Sequence, residues 1–192
     1  MAGSRHRVVL ARHGETEWSK TLKHTSYSDI PLTAVGREDA KALGPALARW
    51  NFSLVLSSPL QRALETCRLG GLGDRAEIDP DLVEWNYGEY EGITTAEIRE
   101  TVPGWTVFSH PCPGGETAEQ VAARVDRVIE RARAAEGDVV LFAHGHVLRV
   151  LASRWIELDP RMGKHLLLGT GTLSALGWER DTPALDFWNA PV

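Results

Sequence analysis

The stretch "RVVLARHGETEW", Arg7 to Trp18, decides how this chain is read. Four apolar residues, Val8 to Ala11, make a short run of the kind that forms a strand buried on both faces. The run stops at Arg12-His13-Gly14. A cation, an imidazole and a glycine therefore stand where the first strand ends. Ligands of open parallel sheets bind beyond the carboxyl ends of the strands, so these are candidate site residues.

Two further runs end in a similar way. Leu54–Leu56 leads into Ser57-Ser58-Pro59, with Arg62 one turn into a following helix. Val139–Ala143, after the Gly137-Asp138 turn, leads into His144-Gly145-His146. Leu173–Trp178 and Leu185–Trp188 read as later strands. Between them lie helical patterns. Thr33 is an N-cap for "AVGREDAKALGPALARW", whose Ala40, Leu43 and Leu47 share one face, and Pro45 predicts a kink or restart. In "SPLQRALETCRL" Ser58 reads as the cap and Pro59 as the first helical residue. Thr117 and Gln120 have capping-box spacing ahead of Val121, Val125, Val128 and Ile129, with a stop at Gly137. His146–Trp155 follows as another helix.

Strands alternating with helices predict an α/β fold: a three-layer α/β/α sandwich with a mainly parallel central sheet. One domain is expected over residues 1–192. Residues 88–115, with Pro103, Pro111, Pro113 and several glycines, read as an irregular non-core insertion that shapes the substrate pocket.

The composition is that of a globular protein, with 43% hydrophobic and 24% charged residues. A net charge of −5 argues against nucleic acid or an anionic membrane as partner. No run approaches the roughly 20 apolar residues of a membrane span. The basic start "MAGSRHR" precedes an apolar run too short for a secretion signal, which predicts a cytoplasmic protein. Cys67 and Cys112 form no disulfide or zinc pattern and read as reduced structural residues. Seven tryptophans admit a homodimer, but none marks an interface.

Arg12, His13, Arg62 and His144 would converge on one sheet edge, beside helix N-termini that favour anions. Guanidinium forks match phosphate oxygens and stay charged. A neutral imidazole among them can attack phosphorus, and nearby positive charge favours that neutral form. Gly14 would let the backbone approach the oxyanion. A leaving alkoxide also needs a proton. Glu84, in "DLVEWNYGEYEG", lies among Trp85, Tyr87 and Tyr90, surroundings that raise a carboxyl pKa; on chemistry alone Glu89 and Glu91 compete. His144 and His146, two residues apart across a strand–helix junction, do not make a metal site, and no cofactor is expected.

The ordered set "RHGETEW", "DIPLTAVGREDA", "SSPLQRALET", "EWNYGEYEG", "GGET" and "FAHGHVLR" resembles the histidine phosphatase superfamily, which includes the phosphoglycerate mutases. The resemblance implies the phosphoglycerate mutase-like fold and a set of roles. His13 would become phosphohistidine. Arg12, Arg62 and His144 would hold the phosphoryl oxygens, and Glu84 would be the proton donor. Ser19 falls where many members have Asn as a phosphate contact, and Thr25 at another position near phosphate. Lys20, His24 and Tyr87 would shape the pocket for the rest of the substrate. His146 is expected at the pocket rim, while Glu15 and Asp29 suit either the pocket or structural pairing.

Three functions compete. A metal-independent phosphomonoesterase acting on a small phosphorylated metabolite, a sugar phosphate above all, suits the short chain and its resemblance to the acid phosphatase and sugar-bisphosphatase branch. A phosphoglycerate mutase would carry extra segments covering the pocket. A non-catalytic phospho-ligand binding module would have lost a catalytic position, and here none is missing.

Overall fold

A computed structural model describes residues 6–191 of the chain, so most of "MAGSRHR" lies outside the described residues. The strands are β1 (Val8–Arg12), β2 (Phe52–Ser57), β3 (Glu77–Ile78), β4 (Asp138–Ala143), β5 (Leu173–Glu179) and β6 (Thr182–Ala190). They form one sheet in the order β3-β2-β4-β1-β5-β6. The first four run parallel, β5 runs antiparallel to β1, and β6 runs antiparallel to β5. Each apolar run of the sequence is therefore a strand, and the three polar tips lie side by side on β2, β4 and β1.

The pleat decides which face each residue serves. Val8 and Leu10 of β1 pack with Leu56, Val139 and Leu141 against helices α5 (Ala118–Arg133) and α6 (Gly145–Trp155). Val9 and Ala11 pack with Val55, Val140 and Phe142 against α2 (Ala34–Leu47) and α3 (Gln61–Leu69). That gives three layers with apolar contact on both sheet faces, as the unbroken Val/Leu runs require. Leu10 is fully buried. Its truncation to alanine would cost about 2–5 kcal/mol.

The caps follow the sequence in part. Thr33 accepts the Gly36 amide, and Thr117 forms a capping box with Gln120. The chain departs from expectation at four places. Helix α2 runs through Pro45 to Leu47 without restarting, because Pro45 lies in its last turn, where little helix remains to disturb. Helix α3 begins at Gln61 with Leu60 as its cap, because the Ser58 hydroxyl reaches only the Leu60 amide, at 3.4 Å, and otherwise meets His144 Nε2. Helix α5 ends at Arg133, short of Gly137. Residues 88–115 hold a short helix, α4 (Thr95–Thr101), and bury Trp105, Val107, Phe108 and Cys112 in the main core. That segment is a wall of the protein as well as of the cavity.

Candidate active site

A cavity of about 440 Å³ opens over the carboxyl ends of β1 and β4. Arg12, His13, Ser19, His24, Thr25, Glu84 and Tyr87 line it, as the sequence suggests. Arg62 and His144 are wholly buried and do not line it, although the His144 ring lies 5.1 Å from that of His13. Lys20, at the exposed end of α1 (Glu17–Lys20), also stands outside the lining. Lys23 takes the place proposed for it.

His13 extends β1, its amide donating to the Ala143 carbonyl at 3.1 Å. Its Nδ1 meets the Gly14 carbonyl at 2.7 Å. A carbonyl only accepts, so Nδ1 carries the proton and Nε2 of the neutral ring keeps its lone pair. Burial lowers the His13 pKa well below the ordinary imidazole value, and the charges of Arg62 and Arg12 lower it further. The site thus holds an uncharged imidazole whose Nε2 lone pair is not engaged by the Gly14 contact.

His144 caps α6 from the end of β4. Its Nδ1 accepts from Arg62 Nε at 3.0 Å, which leaves Nε2 as the protonated nitrogen, donating to Ser58 Oγ at 2.7 Å. Burial, then Arg62, His13 and Arg12, keep this ring neutral as well. The two imidazoles therefore present opposite tautomers, one a base and one a donor.

The guanidiniums are held differently. Arg62 donates through Nη1 to the Ser28 carbonyl (3.0 Å) and through Nη2 to those of Thr25 (3.2 Å) and Ser26 (3.0 Å). Arg12 donates through Nη1 to the Leu168 carbonyl, while its buried Nε has no partner among the described residues. A Cβ placed on Gly145 would come within 3.2 Å of the Arg12 guanidinium carbon, so the first residue of α6 lies flat against that cation.

Of the carboxylates in "EWNYGEYEG", Glu84 lines the cavity. Oε1 accepts the amides of Trp85 and Val147 at 2.8 Å each, and Oε2 that of His146 at 2.9 Å. The side chain is thereby fixed at the N-terminus of α6, where the helix dipole attracts an anion. Glu89 is exposed, and neither it nor Glu91 lines the cavity. Glu15 and Asp29 are structural: Glu15 accepts from the Thr33 hydroxyl and Asp29 from the Gln61 amide.

Two expected phosphate contacts use their hydroxyls locally. Ser19 Oγ donates to the Thr16 carbonyl at 3.0 Å and closes the capping box of α1. Thr25 Oγ1 donates to the Lys23 carbonyl at 3.1 Å. Either reaches a ligand only by turning its proton away. Gly14 also serves another purpose than expected. A Cβ there would sit 2.1 Å from the Gly36 carbonyl oxygen, so the missing side chain admits the first turn of α2.

The far wall is aromatic and imidazole-rich. Tyr87 Oη lies 2.6 Å from His146 Nδ1, and His24 packs 4.7 Å from the Tyr87 ring and 5.2 Å from that of Trp105. Burial pulls the His24 pKa down to about 4. Arg149, which the sequence did not single out, lines this wall with its guanidinium 4.7 Å over Phe108. Its position one turn into α6 from His144 was a usable signal. Thr94, Thr95 and Ala96, at the start of α4, gave none.

Neutral imidazoles, buried guanidiniums and an anchored carboxylate at one sheet edge define a class of phosphoryl-transfer site. The chain belongs to the histidine phosphatase superfamily (branch 1), whose family model matches residues 8–191. It is 38% identical over 178 residues to an acid phosphatase of Mycobacterium tuberculosis, covering 91% of this chain and 87% of the relative. It is 35% identical to sedoheptulose 1,7-bisphosphatase of Saccharomyces cerevisiae, covering 79% and 68%. A solved structure of a Mycobacterium tuberculosis open reading frame superposes with a TM-score of 0.92 at 36% identity, covering 97% of this chain and 98% of that one.

Proposed function

We propose that this chain hydrolyses phosphomonoesters without a metal, through a phosphohistidine on His13, and that its substrate is a small phosphorylated metabolite of the sugar phosphate kind. The observation that carries the reading is the His13 tautomer: Nδ1 is tied to the Gly14 carbonyl, so Nε2 has a lone pair beside two arginines. Nε2 attacks phosphorus in line; the N–P bond forms and the ester P–O bond breaks. Glu84 takes up the proton that a bound phosphomonoester monoanion brings and passes it to the departing oxygen. The resulting carboxylate takes a proton from water, which attacks phosphorus, and phosphate leaves with His13 regenerated. Arg12 stabilises the charge on the transferring group, with Arg62, the His144 Nε2–H that Ser58 Oγ now accepts, and the hydroxyls of Ser19 and Thr25 as further donors once they turn from their present acceptors to the phosphoryl oxygens. The whole chain acts as one domain, with residues 88–115 walling the pocket.

The substrate class rests on the cavity wall. Tyr87, His24, His146 and the threonines of α4 offer neutral hydrogen-bonding groups suited to hydroxyls. The relatives named acid phosphatase and sedoheptulose bisphosphatase point the same way. The test is hydrolysis of p-nitrophenyl phosphate with and without EDTA, in the native protein and His13→Ala. Activity insensitive to EDTA and lost by about 10³-fold or more in the variant supports the reading. Sugar phosphates ranked by kcat/KM would name the substrate. Isomerisation of phosphoglycerate outpacing its hydrolysis would favour a mutase.

A further inference from the structure

Glu91 belongs to the "EYEG" motif, yet it plays no part in the mechanism above. Its carboxylate accepts the Ser26 amide through both oxygens, each at 2.9 Å, and the Ser28 amide through Oε1 at 3.1 Å. The segment it grips is the one whose carbonyls, on Thr25, Ser26 and Ser28, hold Nη1 and Nη2 of Arg62. Amides of this loop face one carboxylate, and its carbonyls face one guanidinium. Arg62 in turn donates Nε to His144 Nδ1. A continuous chain of hydrogen bonds therefore runs from Glu91 through residues 25–28 and Arg62 to the His144 ring.

We propose that Glu91 is a positioning residue for phosphoryl transfer, acting through the 25–28 loop to aim Arg62 and fix the His144 tautomer. Arg62 makes no ion pair with a carboxylate within 4 Å among the described residues, so carbonyl dipoles orient it, and those dipoles are only as fixed as the loop. The far end of the loop is tied by Asp29 to the Gln61 amide of α3. At the near end, Glu91 supplies three of the hydrogen bonds. Without it, Ser26 and Ser28 would lose their half-buried acceptor, the loop would shift, and Arg62 Nε would leave His144 Nδ1 free to take up the proton. The inference rests on the phosphatase reading for its kinetic consequence but not for its structural one.

Glu91→Gln keeps the volume, yet it presents an amide NH₂ to the Ser26 N–H in place of a second acceptor. Glu91→Asp keeps the charge and shortens the reach. The expected result is a fall in kcat/KM for p-nitrophenyl phosphate of about tenfold to hundredfold in Glu91→Gln, as sub-ångström to ångström displacements can cause. In an Arg62→Ala background the same change should cost less than about twofold, because the residue it acts through is gone. Nitrogen NMR of the His144 ring should report a single Nε2–H tautomer in the native protein and a mixture in Glu91→Gln. Equal losses in both backgrounds, or an unchanged His144 signal, overturn the proposal. If Glu91→Gln does not fold, Glu91→Asp carries the same two tests. A protein with no phosphatase activity would sink the functional reading, while the His144 signal would still decide the role of Glu91.

Discussion

Arg62 Nε and His144 Nδ1 stand 3.0 Å apart, both residues wholly buried, and this contact sets which imidazole nitrogen carries the proton given to Ser58. Two residues 82 positions apart in the chain thus share one proton arrangement. Arg62→Lys removes the planar fork while keeping the charge. It is expected to lower kcat/KM by about 10²-fold or more, since ammonium cannot hold His144 and the loop carbonyls at once. Steady-state kinetics check this, and a loss below threefold would mean that charge alone suffices.

Glu84 is separated from a purely structural carboxylate by its leaving-group dependence. Glu84→Gln should reduce turnover of alkyl phosphates by about 10²–10⁴-fold. Activated aryl esters, whose leaving group needs no proton, should lose far less. Equal losses on both would contradict a proton-donating role.

Gly14 is required by packing. Gly14→Ala places a methyl about where the Gly36 carbonyl oxygen sits, only 2.1 Å from the added carbon, with backbone as the obstacle. The expected loss is about 3 kcal/mol or more, read from denaturant midpoints. A loss below about 1 kcal/mol would contradict the contact.

Stability should fall on acidification. Burial lowers the His24 pKa from 6.5 to about 4, and it lowers those of His13, His144 and His146 well below 6.5. Unfolded histidines titrate near 6.5, so below that pH the unfolded chain binds more protons than the folded one. The contribution is whole above pH 6.5 and is lost as pH falls towards 4. His24→Gln, which cannot charge, should flatten the decline by about 2 kcal/mol between pH 7.5 and 5, measured by urea unfolding at each pH. Parallel profiles for the two proteins would refute this.

Much of this was legible in the chain because the relevant signals are local. Val8–Ala11 and Val139–Ala143 are too short and too apolar to be anything but buried strands, and Thr117 with Gln120 states a helix start in four residues. Where three-dimensional neighbours decide, the sequence misleads. Ser58 reads as a cap, but its hydroxyl pairs with His144. β3 has two exposed residues, paired with Leu56 and Ser57 and tied through Glu77 to Arg131, so no periodicity announces it. Lys23 outranks Lys20 because α1 is a single turn, with no amphipathic face from which to read direction. Trp105 and Phe108 are core residues in a segment whose prolines and glycines suggest none. The polar tips of β1, β2 and β4 announced a site; the carbonyl grip on Arg62 could not be read, because backbone acceptors carry no side-chain signature.

The most direct measurement is covalent. Native protein mixed with a phosphomonoester, quenched in alkali within milliseconds to seconds and digested for mass spectrometry, should carry an acid-labile phosphoryl group on His13 at Nε2, absent from His13→Ala. Turnover without any phosphoryl group on residue 13, or its appearance on another side chain, would contradict the account.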